Sequence, residues 1–269
     1  MAEYDSYKVK DSVKEEKINP FADLIKSMRN VIKSQEIDSR TDIIINNQEK
    51  KDISYDELID LIHNYSNEYD DLLALFRNAN PNLKVTIGGD REYSAFGTIP
   101  GKFDPKSNTL ILYNEADIFT TIHELAHSAT YYGMMGQSEE EGPFADKINQ
   151  FMDYIRNYMK ENKLGPDMLI PVKIMGVESP ATVYGFTNPS EFIAELYGNP
   201  SFQDFLDRIP PMNNKEFKSL LHEIWDSIIE FLNSILGEKR LHKSALDQAR
   251  DLGLICMKIQ ENHLQDIYN

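Results

Sequence analysis

Along the first third of the chain, apolar residues recur at steps of three and four, the spacing of helices with one buried face. After Asn19-Pro20, the positions Phe21, Leu24, Ile25, Met28, Val31 and Ile32 make one such stripe, and Pro20 suits a first helical turn. A second stripe runs through Leu58, Leu61, Ile62, Tyr65, Tyr69, Leu72, Leu73 and Phe76. Ser54 and Glu57 precede it at the spacing of a capping box. Between the stripes, Asp42 to Ile45 reads as a short strand. Residues 1–18 are charged and aperiodic, and a mobile tail is expected there.

From Leu83 the period shortens. Leu83 to Gly89, Tyr93 to Gly101 and Thr109 to Asn114 read as strands, with Asp104-Pro105 and Ser107-Asn108 supplying the turn before the last. Beyond Asp117 the pattern is helix and loop, with helices expected at Asp117–Tyr132, Pro143–Lys163, Pro189–Tyr197, Ser201–Arg208, Lys215–Leu236 and Ser244 to about Gln260. Strands followed by helices predict the α+β class, with a small twisted sheet and a mostly helical C-terminal part. The expected organisation is a tail at 1–18, a helical segment at 19–82, a core at 83–210 and a helical annex at 211–269 packed on that core.

Composition narrows the function classes. With 44 acidic and 28 basic residues the net charge is −16, which disfavours nucleic acid and anionic lipid as partners. The longest apolar stretch, Ile224 to Leu236, is interrupted by Asp226, Glu230 and Asn233, so no membrane span is expected. The opening MAEYDSYKVKDSVKEEK has no apolar run of signal-peptide length. The single cysteine, Cys256, rules out a disulfide within the chain and suits a reducing compartment. A cytoplasmic protein is expected, or one delivered by a route without a signal peptide. Oligomeric state is left open.

The chemistry concentrates in Thr121 to His127, which contains His-Glu-Leu-Ala-His. Two histidines four apart on a helix project from one face, so His123 and His127 can reach a single metal, and Glu124 falls beside a metal-bound water. Two surface histidines on an amphipathic helix would show the same spacing. A catalytic zinc needs a third protein ligand and an open fourth position. Spacing alone does not choose that ligand among 44 acids. The best local candidate is Glu191-Phe-Ile-Ala-Glu195, where two carboxylates share a helical face, one able to bind metal and the other to orient an imidazole.

Together, His-Glu-Leu-Ala-His and Tyr184-Gly-Phe-Thr-Asn-Pro-Ser-Glu-Phe-Ile-Ala-Glu195 resemble the gluzincin metallopeptidases, most closely the catalytic domain of the anthrax lethal factor type. The likeness runs from Thr121 to Asn199 and includes the seven-residue step from Tyr184 to Glu191. It implies a zincin-like core at 83–210 with Zn²⁺ held by His123, His127 and Glu191. It further implies Glu124 as the base that activates water, Tyr184 as a donor to the oxyanion, and Glu195 as a carboxylate supporting a ligand. The step of 64 residues from His127 to Glu191 is longer than that family leads one to expect, which places an insertion, the helix Pro143–Lys163 and its loop, near the cleft. The segment is also similar to zincin domains of phage and mobile-element polyvalent proteins, where Glu-Phe-Ile-Ala-Glu is followed by a phrase like Asn199 to Gln203. Virion or toxin injection is the delivery route these likenesses imply.

The expected function is therefore a zinc endopeptidase acting on a protein or peptide. The alternatives are a catalytically silent zincin serving as a binding or virion-structural module, and a non-peptidase metal hydrolase. One strand, Ser94 to Thr98 or Thr109 to Tyr113, is expected to offer its edge to an extended peptide. Gly133 to Gln137 reads as a helix stop, and Glu139 to Glu141 as a solvated loop. His63, His222, His242 and His263 belong to no second ligand motif, and Trp225 reads as core.

Overall fold

The computed structural model describes residues 44, 45, 48–94, 97–135, 143–162, 171–174, 177–180, 184–221 and 242–268. The expected tail, the helix after Pro20, the loop at Glu139–Glu141 and the stretch containing His222 and Trp225 lie outside them.

Helix starts follow their local chemistry. The side chain of Ser54 accepts from the Glu57 amide while Glu57 Oε2 accepts from the Ser54 amide, which opens helix α1 at Tyr55–Tyr65. A 3₁₀ turn at Asn67–Tyr69 leads into α2, Asp70–Ala79. Asp117 Oδ1 accepts from the Thr120 amide at 2.7 Å and starts α3, Ile118–Met134. Asn188 caps α5, Pro189–Gly198, and Asn199 caps α6, Pro200–Asp207, each with proline at the first helical position. Between α3 and α5 in sequence lies α4, Pro143–Glu161, and α7, Asn214–Leu220, and α8, Ala245–Tyr268, follow α6.

Strands β1 (Lys51–Ile53), β2 (Lys84–Ile87), β5 (Gly101–Asp104) and β6 (Thr109–Leu112) form a mixed sheet in the order β1-β2-β6-β5. Only β2 and β6 run parallel, with Lys84 opposite Thr109 and Ile87 opposite Leu112. Burial alternates along β6, so Leu110 and Leu112 face the core. Two further hairpins stand apart in hydrogen bonding: β3 (Glu92–Ser94) with β4 (Gly97–Ile99), and β7 (Pro171–Ile174) with β8 (Val177–Pro180).

The α+β class is as expected, and several details differ. The stretch Tyr93–Gly101 is not one strand: Ser94 pairs with Gly97, and Pro100, which has no amide to donate, separates that hairpin from β5. β6 is interior, so Thr109–Tyr113 cannot offer an edge, and Ser94–Thr98 spans the β3–β4 connection. β5 and β1 are the two edge strands of this sheet, and β5 lies against α3. Of the expected strand Asp42–Ile45, the described Ile44 and Ile45 are not in a strand; both amides reach the Ala116 carbonyl. β1 escaped notice because two of its three residues are exposed and show no alternation.

Helix α3 is the centre of the packing, with α5 on one side and α8 on another. Ile122, Leu125, Ala126 and Ala129 of α3 are fully buried. Gly133 does not stop the helix as expected. It lies within α3, where an added Cβ would sit 2.8 Å from the carbonyl oxygen of Cys256 in α8, so the glycine permits close approach of two backbones. Among the described residues no helix is long and apolar enough to cross a membrane.

Candidate metal centre

His123 and His127 stand one turn apart on α3, with ring centroids 4.8 Å apart. Glu191 enters from the first turn of α5, where the Asn188 side chain holds its amide at 3.0 Å. The helices approach closely because residue 198 is glycine: a Cβ there would lie 2.8 Å from His123 Cβ and 3.0 Å from its backbone nitrogen.

The potential ligand atoms form a nearly regular triangle. The two Nε2 atoms are 3.1 Å apart, and Glu191 Oε2 lies 3.2 Å from that of His123 and 3.4 Å from that of His127. An ion bound tetrahedrally at about 2.0–2.1 Å keeps its ligands roughly 3.3 Å apart. Glu191 Oε2 is buried yet accepts no well-directed hydrogen bond, which suits an atom that faces a cation instead. Among the described residues this is the one group of three or more side chains with metal-ligand geometry.

The distal ring nitrogens are also engaged. His123 Nδ1 is 3.2 Å from Glu195 Oε1, and His127 Nδ1 is 3.0 Å from Ser190 Oγ. With Glu195 and Ser190 accepting from Nδ1, both rings would turn Nε2 lone pairs toward the centre of the triangle when a metal is bound. Glu195 is 5% exposed, and its other oxygen, Oε2, accepts from Asn199 Nδ2.

Without a metal the charges compensate one another. Burial disfavours an imidazolium at His123, but Glu191, Glu195 and the nearby Glu124 outweigh it and hold the pKa up to about 10. Burial likewise opposes charge on Glu191, and the two histidines reverse this, leaving the carboxyl well below its ordinary value. The Glu191 carboxylate and a proton on His123 thus stand where a divalent cation would fit.

Glu124 points to the neighbouring sheet edge, where its Oε2 accepts from the Phe103 amide at 2.8 Å. That amide therefore faces away from β6, and by strand alternation the backbone groups of Gly101, which is buried beside Thr120 and Glu124, point the same way. The Tyr184 ring centroid is 6.0 Å from that of His123. Burial, followed by the charge of Glu191, pushes the Tyr184 phenol above its ordinary pKa. Helix α4, the expected insertion, lies against α3 and α5, and its Arg156 donates to the Phe186 carbonyl at 2.8 Å with the guanidinium over the Phe186 ring. It thereby steadies the turn that carries Tyr184.

All six expected site residues, His123, Glu124, His127, Tyr184, Glu191 and Glu195, are brought together. Sequence reasoning missed Ser190, the Phe103 amide, Gly198, Arg156 and the side-chain role of Asn199. Only Asn199 carried a local signal, as asparagine before Pro200 at a helix start. His63 pairs with Asp70 on the surface, His242 with Asp251, and His263 lies beside the Tyr132 ring, each remote from this group. Compared with protein-family models, curated proteins and solved structures, the chain matches none.

Proposed function

We propose that the chain is a zinc-dependent endopeptidase of the gluzincin type, with Zn²⁺ held by His123, His127 and Glu191. The observation that carries the reading is the triangle of two Nε2 atoms and one buried carboxylate oxygen at 3.1, 3.2 and 3.4 Å. Two imidazoles and one carboxylate are a donor set of catalytic zinc, which leaves a position open. The likeness of Thr121–Asn199 to gluzincins supports the same assignment.

Bound zinc would supply a Lewis acid that lowers the pKa of water toward about 7 and polarises a carbonyl. The protein's own groups do the rest. Glu124, held by the Phe103 amide, takes the proton from the attacking water and returns it to the leaving nitrogen. Tyr184 is protonated at neutral pH even at the ordinary pKa of a phenol, and burial and Glu191 raise it further, so it serves as a donor to the oxygen that gains charge. β5 is an edge strand beside Glu124, where an extended peptide would pair along the backbone, which favours a peptide over a small ester.

The test compares wild type with Glu124→Gln against a peptide library, with zinc content measured in parallel. The expected result is equal zinc in both proteins and cleavage about 10²–10⁴-fold slower in the variant. Cleavage at the wild-type rate in the variant contradicts the mechanism. A zinc-loaded wild type that cleaves no peptide favours the binding-module alternative.

A further inference from the structure

Asn199 uses both ends of its carboxamide and its own amide, and it is 7% exposed. Its Oδ1 accepts from the amides of Ser201 at 3.0 Å and Phe202 at 3.2 Å, which caps α6. Its Nδ2 donates to Glu195 Oε2, and its backbone amide donates to the Glu195 carbonyl at 3.0 Å. Capping alone does not require an amide, since serine and aspartate cap about as well as asparagine. A group that accepts with one atom and donates with another does require it.

The donor goes to a carboxylate with few alternatives. Glu195 is buried, and its remaining oxygen faces His123 Nδ1 at 3.2 Å. Gly185 crowds it from one side, where a Cβ would come within 3.2 Å of Glu195 Cβ and 2.8 Å of the Phe202 ring. Asn199, Glu195 and His123 thus form a line of side chains running from the cap of one helix to the face of another.

We infer that Asn199 is a positioning residue for the metal centre: by holding Glu195 Oε2 it fixes the carboxylate that orients the His123 ring, and so it raises the affinity of the site for a divalent cation. This rests on the metal-centre reading above. The α5–α6 junction is then both a helix start and the outer support of a metal ligand, and the tight Gly198-Asn199-Pro200 connection serves both roles.

The experiment measures the zinc dissociation constant by chelator competition for wild type, Asn199→Ser, Asn199→Asp, Glu195→Ala and the double variant Glu195→Ala/Asn199→Ser, all in the full chain. Melting temperatures are taken on the metal-free proteins. Serine and aspartate keep the α6 cap, so the metal-free melting temperature of Asn199→Ser is expected to fall only by the loss of the one bond to Glu195, with the chain still folded. Its zinc affinity is expected to fall about tenfold or more, as for partners that orient metal-bound histidines. Because Asn199 acts through Glu195, adding Asn199→Ser to Glu195→Ala is expected to weaken zinc no further. Wild-type affinity in both Asn199 variants, or losses that simply multiply in the double variant, overturn this role while leaving the metal centre intact. A wild-type chain that takes up no zinc overturns both.

Discussion

Each residue at the site has a distinct job and hence a distinct signature on removal. Tyr184→Phe would delete the donor proposed for the developing oxyanion, together with a side-chain hydrogen bond to Glu191. Its kcat is expected to drop about 10²–10³-fold with zinc content unchanged; loss of zinc along with activity contradicts the assigned role. His123 gives a pH signature. In the metal-free protein its pKa of about 10 exceeds its ordinary value of 6.5. The imidazolium therefore contributes stability that is complete below about pH 6.5 and is lost as pH rises through about 10. In the proposed site zinc would take the place of that proton, so loading at pH 7 is expected to release about one proton, read by calorimetry in buffers of different ionisation enthalpy. Uptake with no proton release contradicts the ligand assignment. How far these residues were legible depends on how local their geometry is. His123, Glu124 and His127 lie within one helical turn and a fixed period, so their common face could be read directly. Glu191 needed a resemblance, because a 64-residue step carries no geometry. Ser190 and the Phe103 amide were invisible, since each acts only through a contact made in three dimensions.

At the scale of elements, the centre exists because α3 and α5 touch. Gly198→Ala would drive a methyl into the backbone of His123, which cannot rotate away, and so would push Glu191 and Glu195 back from the histidines. Gly133→Ala meets the Cys256 backbone of α8 instead. Both are expected to cost about 1–3 kcal/mol from overpacking, offset by up to about 1 kcal/mol from better helix propensity. Only Gly198→Ala is expected to weaken zinc binding as well; chelator competition and thermal melts on both variants check this, and equal zinc loss in both contradicts it. Helices were the readable elements, because caps such as Ser54, Asp117 and Asn188 mark their starts and an apolar stripe marks their buried face. The sheet was less readable. Pro100 and a Gly97-to-Gly101 stretch hid a break between two separate ladders, and the interior place of β6 follows from pairing with β2, which local sequence does not encode.

For the molecule as a whole, the proposed metal centre would join parts of the chain that are distant in sequence. The sheet edge presents Glu124's partner, α3 the histidines, α5 the glutamate, and α4 steadies Tyr184. A net charge of −16 raises the cost of holding further acids together, so a cation bound at Glu191 would relieve some of that self-repulsion. Ligand linkage then links the site to folding: zinc at about 100 times its dissociation constant adds about 2.7 kcal/mol of stability, which chelation removes. The most direct test is the zinc content of purified wild type and Glu191→Ala, measured by elemental analysis after exchange into metal-free buffer. The expected result is one zinc per chain in wild type and nearly none in the variant, whereas the same zinc content in both would contradict the metal centre described.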